Sequence, residues 1–201
     1  MDWRAGWLVR LTVVPVYIFG WLWTQWHLGF ETFGYHPLGR GFDSYYGYLG
    51  GGEDYFSHMS GGYVDLHDNN ASVFTANGSY SATLFANKTI DVIQAHAAAG
   101  SSAPLFIYLA FQSIHSPIQA PDEWVQPYSW ITNKARRTMA GMASCMDAEI
   151  ARVAGAMKGA SFWDETLFVF AADNGGPPYV ANSNYPMCAL KLLATLLRSV
   201  I

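Results

Sequence analysis

The chain has few cysteines and few charged residues. Only two of its 201 residues are cysteines, Cys145 and Cys188, so the sequence carries no disulfide framework. Cys145 lies among Met142, Met146 and Ile150, a neighbourhood that predicts a buried side chain. Charged residues make up 13% and hydrophobic residues 51% of the chain, which excludes an intrinsically disordered protein. We expect a folded domain with a substantial core.

Positive charge is scarce as well. The chain has 11 Lys and Arg against 15 Asp and Glu, for a net charge of -4. Its one local concentration of basic residues, Lys134, Arg136 and Arg137, is typical of a solvated helix start. Because nucleic-acid binding depends on phosphate contacts by Lys and Arg, no nucleic-acid partner is expected.

A long uninterrupted apolar run is also missing. The apolar segment Leu11 to Trp23 follows Arg4 and Arg10, as in a signal sequence or an anchor. Pro15 interrupts it, no small-residue cleavage site follows it, and it is shorter than the roughly 20 residues of a bilayer span. The open alternatives for residues 11–23 are a signal or membrane anchor, a buried strand, and a segment foreign to the mature protein.

Three N-x-S/T sequons lie close together in the chain. They begin at Asn70, Asn77 and Asn87. Asparagine glycosylation is a modification of secreted proteins and marks their surface. The cluster favours a glycoprotein of the secretory pathway, either lysosomal or extracellular.

Periodicity predicts two helices and two strands in alternation. Helices are predicted over Ser81–Ala99, ended by Gly100, and over Lys134–Lys158. The segments Pro104–Phe111 and Thr166–Asp173 are apolar throughout, which is typical of strands buried on both faces. This order predicts an α/β fold with a mostly parallel sheet and flanking helices. Loops and short strands are predicted for residues 30–62, and loops for residues 65–80 and 121–128.

Polar residues follow both predicted strands. His115 comes after the first, and Asp173 and Asn174 come directly after the second. Ligands of parallel sheets bind beyond the carboxyl ends of the strands. Asp173 and Asn174 could ligate a hard cation, or form an ordinary Asn-Gly turn. His115, and likewise His27, could bind an anion or transfer a proton, or be structural.

Zinc is not expected. His58, Asp65, His67 and Asp68 lie close in sequence, but their spacing fits no compact zinc pattern. The chain also lacks the G-x-S-x-G, H-E-x-x-H, Walker A and dinucleotide-binding motifs.

Five segments in fixed order carry a family resemblance. The segments are "WHLGF", "PLGRGFDSYYGYLGGGEDYFSH", "PLFIYLAFQSIHSPIQAP", "MAGMASCMDAEI" and "LFVFAADNGG". With these segments in this order, from about Trp26 to Met187, the chain resembles the sulfatase family, and within it the arylsulfatase B, I and J group.

The resemblance implies a fold, a chemistry and a set of site residues. Sulfatases have an alkaline-phosphatase-like α/β fold and hydrolyse sulfate esters with a formylglycine made from the cysteine of a C-x-P-x-R motif. A calcium ion is held by two early aspartates and a later Asp-Asn pair, which Asp173 and Asn174 match. His27 and His115 match family histidines that contact sulfate or assist the leaving group, and are therefore the expected catalytic and substrate-binding residues.

The chain departs from the family in several places. Thr24 and Gln25 stand where the family has glycine and lysine, and neither cysteine lies in a C-x-P-x-R motif. The early aspartates have no counterpart, and Lys191 does not lie in the family's later lysine motif. We interpret residues 26–187 as an incomplete sulfatase catalytic domain, 1–25 as an unrelated or signal-like leader ending at Gln25, and 188–201 as a divergent apolar tail.

Three functions follow as hypotheses. The first is a calcium-dependent sulfuric ester hydrolase of the arylsulfatase type, acting on a sulfated sugar or an aryl sulfate, with the 201 residues inactive alone because they lack the formylglycine motif. The second is a non-catalytic secreted glycoprotein that binds sulfated glycans. The third, a phosphate-ester or phosphonate hydrolase, is disfavoured by "WHLGF" and "HSPIQAP". Exposed sheet edges in an incomplete domain predict poor solubility.

Overall fold

The structure is a computed structural model that describes residues 19–176. It contains α-helices and β-strands in the order expected of an α/β protein. The strands are β1 (Phe19–Gln25), β2 (Ser44–Tyr48), β3 (Met59–Ser60), β4 (Tyr63–Val64), β5 (Leu66–Asp68), β6 (Ala71–Ser72) and β7 (Leu105–Ala110). The α-helices are α1 (Ser81–Ala98), α2 (Asp122–Val125) and α3 (Lys134–Gly159).

Five of these strands form one mixed sheet. Their order is β6-β5-β2-β1-β7, and β3 pairs with β4 as a separate hairpin. The three longest strands are parallel, because β1 pairs with β2 on one side and with β7 on the other. The short strands β5 and β6 are antiparallel to their neighbours. The predicted α/β fold is confirmed, with the parallel pairing restricted to the long strands.

The central strand β1 comes from the apolar segment near the N-terminus. Of residues 11–23, the part from Phe19 onward forms a strand, and residues 11–18 lie outside the described residues. At its end, wholly buried Thr24 packs so closely on Gly47 that a Cβ there would lie 2.1 Å from the Thr24 carbonyl oxygen. The segments 1–25, 26–187 and 188–201 stay predictions as domain boundaries. No helix among the described residues is long and apolar enough to cross a membrane.

The two long helices confirm the sequence prediction to within two residues at each end. Gly100, with φ of 58°, follows α1 in the left-handed conformation that glycine adopts without strain. Asn133 caps α3, since its side-chain oxygen accepts the backbone N–H of Arg136 at 3.0 Å. Cys145 is buried on α3, and burial raises the pKa of its thiol to about 11, as expected of an unreactive cysteine.

Both helices cover the same face of the sheet. Phe85 of α1 packs on Tyr46 and Tyr48 of β2. A second cluster joins α1 to α3 and to β7, and contains Ala86, Ile93, Val153 and Met157 with Leu105, Ile107 and Leu109. The opposite face carries Tyr45 and Leu49, which pack on Trp26, Leu38 and Phe42. The core therefore lies between the sheet and one helical layer.

Two predictions of complete strand burial are wrong. In β7, Phe106 and Tyr108 remain 49% and 52% exposed, because the helices cover only the face that carries Leu105, Ile107 and Leu109. The predicted strand 166–173 forms no strand at all, and its Leu167 and Val169 are 89% and 73% exposed. An apolar segment becomes a buried strand only beside a pairing neighbour, and no described strand pairs with it.

Two predicted loops are more regular than expected. Residues 121–128 contain α2 and a 3-10 turn, Gln126–Tyr128. Residues 65–80 contain β5 and β6. Asn70 and Asn77 lie in exposed turns, and Asn87 is exposed on α1. Their glycosylation stays a prediction.

Candidate functional site

Three consecutive glycines form the centre of the candidate site. Gly50, Gly51 and Gly52 follow β2 and run across the carboxyl end of the parallel strands. The carboxylate of Asp65 fixes the start of this run, because it accepts the N–H groups of Leu49 at 3.1 Å and Gly50 at 2.8 Å. The run is the place where segments from β1 and from β7 meet.

His27 reaches the glycine run from the end of β1. Its backbone N–H donates to the Leu49 carbonyl at 3.1 Å, which continues the pairing of β1 with β2 beyond both strands. A Cβ at Gly51 would lie 2.6 Å from His27 Cε1, so the imidazole packs directly on backbone. His27 has φ of 51°, a conformation uncommon outside glycine and often found at functional sites. Its side chain is exposed.

His115 reaches the same run from the loop after β7. A Cβ at Gly52 would lie 3.4 Å from His115 Nδ1. That nitrogen is 2.7 Å from the Ser116 carbonyl oxygen. A carbonyl can only accept, so Nδ1 carries a proton and Nε2 of this exposed ring is left for a ligand or a proton. Two histidines distant in sequence therefore touch neighbouring glycines.

Gln25 contributes to the position of the glycine run. It is the last residue of β1, and its side-chain Nε2 donates to the Gly51 carbonyl at 2.9 Å. The residue that stands in place of the family's lysine thus holds the backbone against which His27 packs. A neutral amide suits this role, because it donates to a carbonyl without placing a charge there.

Residues 54 and 55 hold the loop that carries His115 in place through hydrogen bonds. The buried Tyr55 hydroxyl is a hydrogen-bond donor placed between two carbonyl oxygens. It lies 2.9 Å from that of Gln112 and 2.8 Å from that of His115. Its backbone N–H donates to Gln119 Oε1 at 2.9 Å, and Gln119 Nε2 donates to Asp54 Oδ2 at 2.6 Å. Burial raises the pKa of Asp54, but hydrogen bonds from Gln119, Ser57 and Phe56 outweigh it and hold that pKa at about 2.

A buried pair of ionisable residues, Glu53 and His58, follows the glycine run in the chain. His58 Nδ1 is 2.8 Å from Glu53 Oε1, and the two residues are 1% and 2% exposed. Burial raises the pKa of Glu53, while the hydrogen bond and charge of His58 oppose that rise. Gln112 ties this pair to the His115 loop, since its Nε2 donates to the Glu53 carbonyl. The pair supports the site from inside.

The residues considered for zinc have other roles. Asp65 holds the glycine run, His58 pairs with Glu53, and His67 Nδ1 donates to the Asp65 carbonyl at 2.6 Å. Asp68 accepts from Asn69. No group of three or more His, Cys, Asp or Glu within residues 19–176 is arranged to hold a metal.

Asp173 and Asn174 do not by themselves fit a calcium ion. Both are exposed, Asp173 Oδ1 accepts the Asn174 N–H at 2.7 Å, and Asn174 Nδ2 donates to the Gly175 carbonyl at 3.2 Å. Calcium takes about six to eight oxygen ligands, and this pair supplies only a few. The predicted burial of the preceding strand, which would have fixed their position, is wrong. Their role as metal ligands stays a prediction.

Sequence reasoning missed most of the groups that build the site. It selected His27 and His115 but not the contacts of Gly51, Gly52 and Tyr55 with them, nor the hydrogen bonds of Gln119 to Tyr55 and Asp54. The signal that could have found the glycines is the run "GGGED", because three glycines directly after a strand indicate a close approach of other groups to the backbone.

Comparison with known proteins agrees with this geometry. The family model "Sulfatase" matches residues 17–189, which is most of the chain. The chain belongs to the sulfatase family. The sequence-based recognition is confirmed, and the sheet with its helical layer is part of a sulfatase catalytic domain.

Two curated relatives are arylsulfatases. Arylsulfatase J of Mus musculus is 37% identical over 170 residues, covering 81% of this chain and 28% of that protein. The arylsulfatase of Klebsiella aerogenes is 26% identical over 210 residues, covering 77% of this chain and 44% of that protein. The chain thus spans less than half the length of these relatives.

A solved structure shows the same fold. The crystal structure of Ps i-CgsB in complex with k-i-k-neocarrahexaose has a TM-score of 0.77 and 32% identity to this sulfatase chain. The alignment covers 88% of this chain and 41% of that one.

Proposed function

We propose that the described residues form the sulfate-recognition part of a sulfate-ester hydrolase. The observation that supports this best is that His27 and His115 contact the adjacent glycines Gly51 and Gly52 while both rings stay exposed. Sulfate presents several oxygens, and fixed N–H donors around such an anion stabilise the charge that develops when the ester is cleaved.

The geometry suggests how each histidine acts. The Nδ1 proton of His115 is held by the Ser116 carbonyl, so Nε2 is the atom that can donate to sulfate or protonate a leaving oxygen when the ring is charged. The His27 ring packs against Gly51, next to the glycine that His115 contacts, and in our proposal it binds the same anion. The bond from Gln25 to Gly51 keeps that surface in place.

The substrate class that we propose is a sulfated sugar. The relative Ps i-CgsB was solved with neocarrahexaose, which is such a molecule. Aryl sulfates are the second class, in line with the names of the two curated relatives. The three exposed sequons support a protein of the secretory pathway, lysosomal or extracellular.

For the 201 residues themselves we propose binding without cleavage. Neither Cys145 nor Cys188 lies in a C-x-P-x-R motif, and Cys145 is buried with its pKa raised to about 11 by burial. It is therefore no nucleophile. Asp173 and Asn174 remain the proposed calcium ligands, together with oxygens from elsewhere, and calcium binding by this chain should be weak.

Calorimetric titration with neocarrahexaose tests the proposal, combined with an assay for released sulfate. We expect binding by the unchanged chain, a loss of about tenfold or more in the His115→Ala variant, and no sulfate release. His96→Ala serves as the control, because His96 bonds to the Ala103 carbonyl at the far end of α1. Equal affinity of the His115→Ala variant and the unchanged chain would refute the proposed site.

A further inference from the structure

Exposed aromatic side chains follow the candidate sulfate-site residue His27 in the chain. In the residues that follow His27, the rings of Phe30, Phe33 and Tyr35 are 56%, 62% and 47% exposed. We call these three rings the aromatic surface. None of them is needed for the core, and a concentration of exposed apolar groups marks an interaction site.

The loop that carries the aromatic surface is fixed at both ends. The indole Nε1 of Trp26 lies 2.8 Å from the Gly29 carbonyl and 2.8 Å from the Tyr35 carbonyl, to which it donates. The Trp26 ring in turn packs edge-on against Phe42. The same residue therefore joins the aromatic surface to His27, its neighbour in the chain.

Two of the three rings, those of Phe33 and Tyr35, are also held by neighbouring side chains. Phe33 stacks on buried His36 with ring centroids 6.1 Å apart and an angle of 10° between the planes. The guanidinium of Arg40 lies 5.5 Å from the centre of the Tyr35 ring, and Arg40 Nε donates to the Gly34 carbonyl at 2.8 Å. Rings ordered in advance lose little conformational entropy when they bind a ligand.

Polar groups of both signs border the aromatic surface. Arg40 forms no ion pair with any residue that the structure describes. The Glu31 carboxylate accepts the N–H of Phe30 at 3.1 Å and has further acceptor capacity. Together they offer a cation for a sulfate and an acceptor for a hydroxyl, while the ring faces offer an apolar plane for C–H groups.

We propose that the aromatic surface binds a pyranose ring of a sulfated oligosaccharide whose sulfate ester lies at His27 and His115. The inference rests on the proposed function and extends it from one sulfate group to a neighbouring sugar. A sugar fits better than a protein surface, because Trp26, the neighbour of His27 in the chain, holds the loop of the rings, and Arg40 and Glu31 beside them offer a cation and a hydrogen-bond acceptor.

The test compares neocarrahexaose with the same oligosaccharide after chemical desulfation, by calorimetry on the whole chain. Phe33→Ala and Tyr35→Ala should each weaken binding of the sulfated form by about tenfold. Phe33→Tyr keeps an aromatic ring and should bind as tightly as the unchanged chain. Trp130→Ala is the matched control, since Trp130 is 76% exposed in another loop. Circular dichroism and a thermal transition establish that each variant is folded. Saturation-transfer NMR should show contact of sugar C–H groups with aromatic protons.

The outcomes separate the two proposals. If His115→Ala loses binding while Phe33→Ala and Tyr35→Ala keep it, the aromatic surface is overturned and the sulfate site stands. If Phe33→Ala weakens both oligosaccharides equally and His115→Ala changes neither, the sulfate site is overturned and the aromatic surface stands. If Phe33→Ala alters only sedimentation, the surface binds protein, which overturns the inference. Absence of binding by the unchanged chain overturns both.

Discussion

At the scale of single residues, the site depends on positions that have no side chain. A Cβ at Gly51 would overlap the His27 imidazole, whereas a Cβ at Gly52 would lie 3.4 Å from His115 Nδ1, at van der Waals contact. Gln25, Tyr55 and Gln119 act on the same elements through hydrogen bonds to backbone and side chains.

Gly51→Ala tests this dependence. The new methyl group would lie 2.6 Å from His27 Cε1, so the ring must move away from the sulfate site. We expect affinity for a sulfated oligosaccharide to fall by about tenfold, with a loss of about 1–3 kcal/mol in unfolding free energy at most. Calorimetry and urea denaturation measure the two effects. Unchanged affinity would show that His27 does not contact the ligand.

Asp54 makes stability depend on pH in the acid range. Its pKa is about 2 in the folded chain, below the value of about 3.9 expected when the chain is unfolded. The unfolded state therefore binds more protons in this window, and stability present above about pH 4 is lost as the pH falls toward 2. Urea midpoints measured over this range should show a flatter dependence for Asp54→Asn. Asp91→Asn, on the exposed face of α1, should keep the slope of the unchanged chain.

At the scale of elements, the sequence predicted the secondary structure correctly where residues close together in the chain determine it. The helices α1 and α3 have apolar residues at helical spacing and a capping or stopping residue at an end, so their bounds follow closely. β7 was also found, but its exposed Phe106 and Tyr108 were not, because burial depends on which face the helices cover. The segment 166–173 has the composition of a strand but pairs with none of the strands that the structure describes. Contacts such as that of Gly51 with His27 join residues far apart in the chain, so no local sequence pattern predicts them.

Helix α3 offers a test of local energetics and a control for the site variants. Gly155 lies on its exposed side, and a Cβ there would meet nothing within 4 Å. Glycine in a helix interior costs about 0.5–1 kcal/mol relative to alanine, so Gly155→Ala should raise the unfolding free energy by about that amount. Urea denaturation measures it. Affinity for the oligosaccharide should not change, and destabilisation would mean that α3 packs differently from the structure.

At the scale of the whole molecule, β7 is an edge strand of the sheet formed by residues 19–176, and an exposed apolar segment follows α3. Leu167, Val169 and Phe170 are 89%, 73% and 69% exposed. Unpaired strand edges and apolar surfaces of this kind promote association between chains.

Val169→Lys should therefore reduce self-association. A charge in the exposed segment opposes contact between copies, and no packed group is lost. Sedimentation velocity over a concentration series measures the change. Ser129→Lys adds the same charge at another exposed position and should have a smaller effect. Equal effects of the two changes would assign the benefit to net charge rather than to this segment.

The meeting of His27 and His115 at one glycine run couples ligand binding to folding. The two side chains are adjacent only when β1, β2 and β7 are assembled, so an unfolded chain offers no equivalent site. A sulfated ligand that binds both side chains should stabilise the folded state. It should add about 2.7 kcal/mol to the unfolding free energy when its free concentration is about 100 times its Kd. A melting temperature that rises with the logarithm of the concentration of a sulfated oligosaccharide would report occupancy of the site without any enzymatic turnover.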